Sequence, residues 1–273
     1  AVYISSFRAL LAMEEYIQER QDYFDSKSQT EGVFKEAFNN GTINGTHMDI
    51  MNDSDFQHYL SRVNAKASQM DILVNANISQ LQLAQTDPWN LVVSFTLDIN
   101  ITDMRNLATW EFKKDYETKV PIDDIKDPLY TIGSIIPNTI RRFNATPYID
   151  DTADKNDTTE FVRFVSESFY WNNTRAPSVL QRFYGNFSPS PYGIESIVDL
   201  IDIAANSECR CYKLSISTID YIYFSDNRSF PLVCNIQNIS AAAEDPYVPW
   251  LKLDFNHTLD YRINGSLDFV NCV

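Results

Sequence analysis

The sequence predicts an α+β fold, with a long N-terminal helix followed by antiparallel β-sheet domains. Three observations carry that expectation. Apolar residues in 1–38 recur at helical spacing, the hydrophobic period switches from 3.6 to 2 at about residue 71, and the strand-like runs that follow are separated only by turns, as in a meander.

Within residues 1–38, Tyr3, Phe7, Leu10, Met13, Ile17 and Phe24 form one broad stripe, with Arg8, Glu15, Glu19 and Asp22 on the other side. Glu14 and Gln21 interrupt the stripe, so the segment is one long helix or two consecutive helices broken near Ser26 to Thr30. Two roles fit such a helix. It packs on its own domain, or it continues a hydrophobic segment lying before Ala1, as a membrane-anchored N-terminus would. Tyr16, Tyr23, Phe24, Phe34 and Phe38 would then bury against the rest of the chain or against neighbouring subunits.

Residues 39–136 read as a first α+β head domain. A polar loop from Asn39 to Asp53 leads into a helix that Ser54 would cap and that runs to about Ala67. Strands are expected at 71–79, 90–102, 107–114 and 116–122, with turns at Asp87-Pro88-Trp89 and Asp127-Pro128. Residues 137–159, with their prolines and Asp/Lys charges, read as a linker or long exposed loop. Residues 160–273 read as a second, β-rich domain with strands at 161–170, 212–224, 250–256 and 259–264, a helix-like stretch from Ile194 to Ala205, and a hairpin tip at Asp226-Asn227.

Composition narrows the partners. Across 273 residues, 37 Asp+Glu against 22 Lys+Arg give a net charge of -15, and the only basic runs are Lys113-Lys114 and Arg141-Arg142. A nucleic-acid surface needs a basic stripe, so nucleic acid is not an expected partner. No run approaches the roughly 18 apolar residues of a membrane span, and the sequence begins without a signal peptide, so an extracellular protein numbered from Ala1 is expected to be a processed product or a truncated ectodomain; membrane contact is expected only through a segment before Ala1.

The glycosylation pattern points to a compartment. Asn-X-Ser/Thr occurs at Asn40, Asn44, Asn52, Asn77, Asn100, Asn144, Asn156, Asn172, Asn186, Asn227, Asn238, Asn256 and Asn264. Chance placement of the chain's Asn, Ser and Thr would give only about 3.4 such sites. An excess of this size implies a surface that carries N-linked glycans, and hence an extracellular, cell-surface location. In the strand-like runs 72–78, 93–101, 251–256 and 261–264, Asn77, Asn100, Asn256 and Asn264 all oppose the apolar set. Cys209, Cys211, Cys234 and Cys272 fit an oxidising compartment as two disulfides with three possible pairings, of which Cys209 to Cys211 is geometrically the least favoured. A zinc site is the rival, but it lacks any Cys-x-x-Cys half.

Chemistry-bearing patterns are absent. Of three His, His47 lies in the sequon-rich loop, His58 on an exposed helix face, and His257 inside a sequon, which argues against a buried base. No nucleophile elbow, dinucleotide fingerprint, P-loop or zincin motif is present, so no catalytic residue and no cofactor are assigned and the chain reads as a non-enzyme. Asp150, Asp151, Asp154 and Asp157 are spaced closely enough to hold calcium, but Lys155 stands where an EF-hand loop needs Gly, so no metal residue is assigned.

Several phrases occur together: Ala108-Thr109-Trp110, Asp127-Pro128-Leu129-Tyr130, Ala176 to Phe183 running on to Pro191-Tyr192-Gly193-Ile194-Glu195-Ser196, Asp220 to Phe224, and Trp250 to Asp254 before His257. Over roughly residues 70–265 the chain resembles archaeal cell-surface proteins that carry an N-terminal membrane or type IV pilin-like helix and a glycosylated ectodomain. The resemblance implies a pilin-like architecture with an additional C-terminal β-rich domain, and a structural or adhesive surface protein assembling with itself or related surface subunits into a filament. A receptor-like ectodomain that binds a sugar or peptide over Trp171 and Trp250 is the alternative. The chain departs from the resemblance at its N-terminus, where the expected hydrophobic helix is absent or shortened.

Overall fold

The computed structural model describes residues 2–105, 107–132, 138–147, 159–198, 216–225, 234–236, 250–261 and 270–272. The chain is mixed α+β with an N-terminal helix and antiparallel sheets. It divides into two compact units, Ala1–Ile125 with Phe183–Gly185, and Lys126–Arg182 with Asn186–Val273.

In the first unit the N-terminal segment is two helices, α1 (Val2–Arg20) and α2 (Lys27–Asn40). The apolar stripe explains α1: Ala9, Leu10, Ala12, Met13 and Ile17 are all buried, while Glu15, Gln18 and Glu19 face water. The break falls where Gln21 takes a positive φ of 54° and where the Ser26 hydroxyl accepts from the Gln29 amide to start α2. Gly41 ends α2 in the left-handed region at φ 69°, its amide donating to the Ala37 carbonyl; a Cβ there would stand 3.1 Å from an Asp55 oxygen. Phe34 and Phe38 of α2 are buried, and Phe38 meets Phe95 with ring centroids 5.7 Å apart. A small hairpin, β1 (Thr42–Ile43) and β2 (Thr46–His47), leads to α3 (Phe56–Ala67). The cap of α3 is Asp55 and not Ser54: its carboxylate accepts from the His58 amide, whereas the Ser54 hydroxyl is engaged by Arg8.

The period-2 region forms one antiparallel sheet, β3 (Ile72–Asp87), β4 (Asn90–Asp103) and β5 (Thr109–Pro121), in the order β3-β4-β5. The two strands expected at 107–114 and 116–122 are the single strand β5, because Asp115 stays in register opposite Thr96 and accepts its hydroxyl at 2.6 Å. Register sorts the faces. Val74, Ile101 and Trp110 form one row and Ala76, Ile99 and Phe112 the next, while Asn75, Asn100 and Glu111, and then Asn77, Asp98 and Lys113, occupy the opposite face. Trp89 in the β3–β4 turn is buried, and Asp87 accepts from the Trp89 amide and the Asn90 side chain, each at 2.9 Å.

The second unit departs further from expectation. Its described elements are α4 (Pro128–Thr131), β6 (Arg141–Arg142), α5 (Thr159–Ser166), β7 (Phe169–Asn172), α6 (Val179–Arg182), β8 (Ile194–Glu195), β9 (Ile197–Val198), β10 (Ile216–Ile219), α7 (Asp220–Phe224), β11 (Cys234–Ile236), β12 (Trp250–Leu253), α8 (Phe255–Asp260) and β13 (Val270–Cys272). Two small sheets result, β6-β7-β8 and β13-β11-β12-β10-β9, the second with β10 and β12 parallel. Helices and two- to four-residue strands alternate, so a β-rich domain is not evident among the described residues.

The run 161–170 is mostly the helix α5, which sets Phe164 against Phe143, Phe169 and Trp171 with ring centroids 4.9, 5.8 and 5.1 Å away. The stretch expected as helix from Ile194 begins with the strands β8 and β9, and the strand runs 212–224 and 250–256 pass into the helices α7 and α8. Residue 193 can only be Gly, since a Cβ there would lie 2.1 Å from the Ala176 carbonyl oxygen. The hairpin tip at Asp226-Asn227 and the acidic cluster from Asp150 to Asp157 lie outside the described residues.

Candidate functional site

The first unit leaves part of its apolar sheet face uncovered. At the base of the sheet this face is closed by α2 through Phe38 and Phe95, and α3 lies along β3, where the Asn64 side chain accepts from the Val74 amide at 2.8 Å and donates to the Val74 carbonyl at 2.7 Å. Beyond α3 the rows continue into solvent: Trp110 is 53% and Phe112 46% exposed. Gln57 and Leu60 of α3 stand over Ala76, Ile99 and Phe112, forming an open groove of about 710 Å³.

A second groove, about 410 Å³, lies between the first turn of α1 and α3; Val2, Tyr3 and Ser5 form one wall, Phe56 and Tyr59 the other, and Phe95, Leu97 and Tyr116 the floor. Leu97 and Ile99 share one face of β4, so the two grooves adjoin. Although the middle of α1 is buried, its first turn presents Tyr3 at 46% and Ile4 at 54% exposure, with Tyr3 stacked on Phe7 one turn later. An apolar band therefore runs from Tyr3 past Tyr59 to Phe112 and Trp110, with Ile4 exposed next to Tyr3. Bands of exposed large apolar groups are the usual mark of an interaction surface.

Asn40, Asn44, Asn52, Asn77, Asn144, Asn172 and Asn256 are exposed, and Asn100 and Asn186 are half-buried. Asn156, Asn227, Asn238 and Asn264 lie outside the described residues. The amide nitrogen that would carry a sugar donates to the Tyr16 hydroxyl at 2.6 Å in Asn44 and to Glu111 at 2.8 Å in Asn100. Cys209 and Cys211 lie outside the described residues, whereas the register of β11 and β13 sets Cys234 directly opposite Cys272.

The second unit contains two buried charge networks that no spacing in the sequence announces. In one, the fully buried Arg182 guanidinium bridges Asp127 and Asp220 and donates to the Ile194 carbonyl. Asp127 also accepts from the Tyr170 hydroxyl at 3.0 Å, and Asp220 from Ser196 at 3.1 Å and the Tyr221 amide at 2.6 Å. Burial pushes the Asp220 carboxyl up to about 6, against the pull of Arg182, and it raises the hydroxyls of Tyr130 and Tyr170 as well. Burial alone would lower the Arg182 pKa, but the two carboxylates together raise it, so the guanidinium stays charged.

In the other network Glu195 accepts from Trp171 Nε1 at 2.9 Å, Asn173 at 2.9 Å, the Tyr261 hydroxyl at 2.8 Å and His257 Nε2 at 3.2 Å. The other His257 nitrogen meets Asp254 at 2.8 Å. Burial works to lower the His257 pKa, but hydrogen bonds to Asp254 and Glu195 win and raise it to about 10.

Two expectations are corrected here. His257 is buried although it sits inside a sequon, because α8 turns successive residues by about 100° and so directs Asn256 to solvent and His257 inward. Trp171, expected as an exposed stacking surface, is 1% exposed and anchored to Glu195. The Trp250 side chain lies outside the described residues. A His held between two carboxylates resembles a catalytic constellation, but His257 and Glu195 are 1% and 0% exposed. The signal that would have found both networks is a charge inside an apolar run: Arg182 within Val179-Leu180-Gln181-Arg182-Phe183, Glu195 within Ile194 to Val198, Asp220 between Ile219 and Tyr221.

No family model matches the chain, and no curated protein and no solved structure matches it either. Among the described residues no helix is long and apolar enough to cross a membrane.

Proposed function

We propose that this is an extracellular, N-glycosylated structural or adhesive surface protein, a type IV pilin-like subunit that assembles with copies of itself or with related surface subunits. The observation that carries the reading is the first turn of α1, where Tyr3 is exposed beside an apolar groove and Ile4 next to it is exposed too, while Phe7 is half-buried and Leu10, Met13, Ile17 and Phe24 further along the stripe are buried. Exposed apolar residues contiguous with an apolar groove, at the end of a stripe that is otherwise covered, offer a contact to another subunit. The sequon excess supports the cell-surface location, as does the absence of any buried Asn among the described sequons. The receptor-like alternative has less support, since Trp171, which it needs on the surface, is enclosed.

The reading is tested by replacing Ile4 with Arg in the full chain and expressing it in the native cell. Wild-type protein should sediment with a surface assembly and the Ile4→Arg protein should be released as free subunits. Equal sedimentation of the two would overturn the role given to α1.

A further inference from the structure

The two edges of the β3-β4-β5 sheet are finished differently. The β3 edge is interrupted: Asn64 occupies the backbone of Val74, and a register shift between Ser79 and Gln82, with Gln80 at φ 53°, puts a bulge in the strand. The β5 edge has neither device, since β5 pairs with β4 without interruption from Thr109 to Pro121, and every residue from Thr109 to Asp115 is exposed. Natural sheets rarely leave a straight edge of this length without a partner.

We propose that this edge is a self-recognition surface, on which two copies of the chain pair antiparallel along Thr109–Asp115 about a two-fold axis through Phe112. The side chains of the exposed stretch suit that register. A two-fold axis normal to the sheet keeps each face with its like, so residues pair when their numbers are symmetric about 112. Glu111 then faces Lys113 of the second copy, twice; Trp110 faces Lys114 of the second copy, twice; and Phe112 meets its own mate. Within one chain Asp98 already holds Lys113 at 3.0 Å and Asn100 holds Glu111 at 2.8 Å. The polar face of the joined sheet therefore reads Asp98, Lys113, then Glu111 and Asn100 of the second copy, with signs alternating across the seam. On the other face Phe112 and Trp110 lose their exposure against an aromatic ring and a Lys stem, an arrangement that suits cation–π contact.

Moving the axis by one residue destroys the match, because an axis at Glu111 sets that carboxylate against itself and an axis at Lys113 does the same for the ammonium. Lysines that merely guarded the edge would meet no counter-charge there; in the register about Phe112, which stays within the exposed stretch Thr109–Asp115, Lys113 meets Glu111 of the second copy. The proposal rests on the assembly reading and names its partner as a second copy, but it does not use α1.

Charge reversal tests it in the full chain, by sedimentation equilibrium with circular dichroism as the check on folding. Glu111→Lys alone and Lys113→Glu alone should each weaken dimerisation about 30-fold, since two facing pairs turn from attraction to repulsion. An equimolar mixture of the two variants should dimerise again, because each supplies the charge that the other has lost. Absence of a wild-type dimer would overturn the proposal, and so would a dimer that neither reversal weakens or a mixture that stays monomeric. Loss of the dimer on Ile4→Arg but not on either reversal would place the contact on α1 and overturn β5 pairing while leaving the assembly reading intact.

Discussion

Glu195 and Ser196 are consecutive residues whose side chains enter two different buried networks. Glu195 accepts from His257, Trp171, Asn173 and Tyr261, and Ser196 donates to Asp220 beside Arg182. One short extended segment, Ile194 to Val198, thereby ties together α6, α7, α8 and β7, which are far apart in the chain. Charges at this depth are costly unless paired, so the networks are expected to specify how the second unit packs.

Arg182→Leu is the sharpest test of that role. It leaves Asp127 and Asp220 facing each other without a cation, and breaking a buried pair from one side costs about 3–5 kcal/mol. Asp220→Asn should cost less, because burial already favours the neutral carboxyl. Equilibrium denaturation of the full chain reads both; a loss below about 1 kcal/mol for Arg182→Leu would mean the pair behaves as a surface contact.

Stability of the second unit should fall as pH rises. His257 has its pKa raised to about 10, so its contribution is complete below its unfolded value of 6.5 and disappears as pH climbs through about 10. Asp220 acts in the same direction at lower pH: its contribution is complete below 3.8 and is lost through about 6. Asp254 is lowered despite the opposing effect of burial, chiefly by His257, and works the other way, losing its contribution as pH falls. Denaturation midpoints measured against pH should therefore decline into the alkaline range, and His257→Gln should flatten the decline between about pH 6.5 and about pH 10. An unchanged slope in His257→Gln would contradict the assignment.

Backbone register makes a specific statement about the cysteines. Residues directly opposite in antiparallel strands lie about 4.5–5.5 Å apart at Cα, inside the range a disulfide spans. Cys234 and Cys272 occupy such a pair. Peptide mapping without reductant should recover the two joined; finding both as free thiols, or each bridged to Cys209 or Cys211, would reject this pairing.

Asn77 and Asn100 occupy the polar face of the sheet, Asn77 exposed and Asn100 half-buried. Asn77→Gln and Asn100→Gln should each lower the glycan mass of protein from the native cell without changing its circular dichroism. An unchanged intact mass would remove the glycan from that site.

The first unit was the legible half. Long elements such as α1 and β4 repeat their period often enough to be read, and β4 falls where alternation placed it, whereas β3 runs on to Asp87, beyond its expected end at residue 79. Two further differences there are local: the cap is Asp55 and not Ser54, and the strands expected at 107–114 and 116–122 are one, with Asp115 paired in mid-strand. The second unit is built from pieces of two to eight residues, too short for a period to separate helix from strand. Phe-Val-Arg-Phe-Val in α5 and Asp-Tyr-Ile-Tyr-Phe in α7 alternate like strands, and tertiary packing around Phe164 and Arg182 decides otherwise. Arg182 is 55 residues from Asp127 and 38 from Asp220, so their meeting is a property of the fold and not of any local pattern. The exposed face of Tyr3, Ile4, Tyr59, Trp110 and Phe112 was half visible: the stripe could be read, but which part of it the chain covers could not.

Electron microscopy of the protein as isolated from its native cell surface tests the central claim most directly. Ordered filaments or a lattice of glycosylated subunits is the predicted result. A preparation of dispersed single particles, with Tyr3, Ile4 and the β5 edge facing solvent, would contradict it.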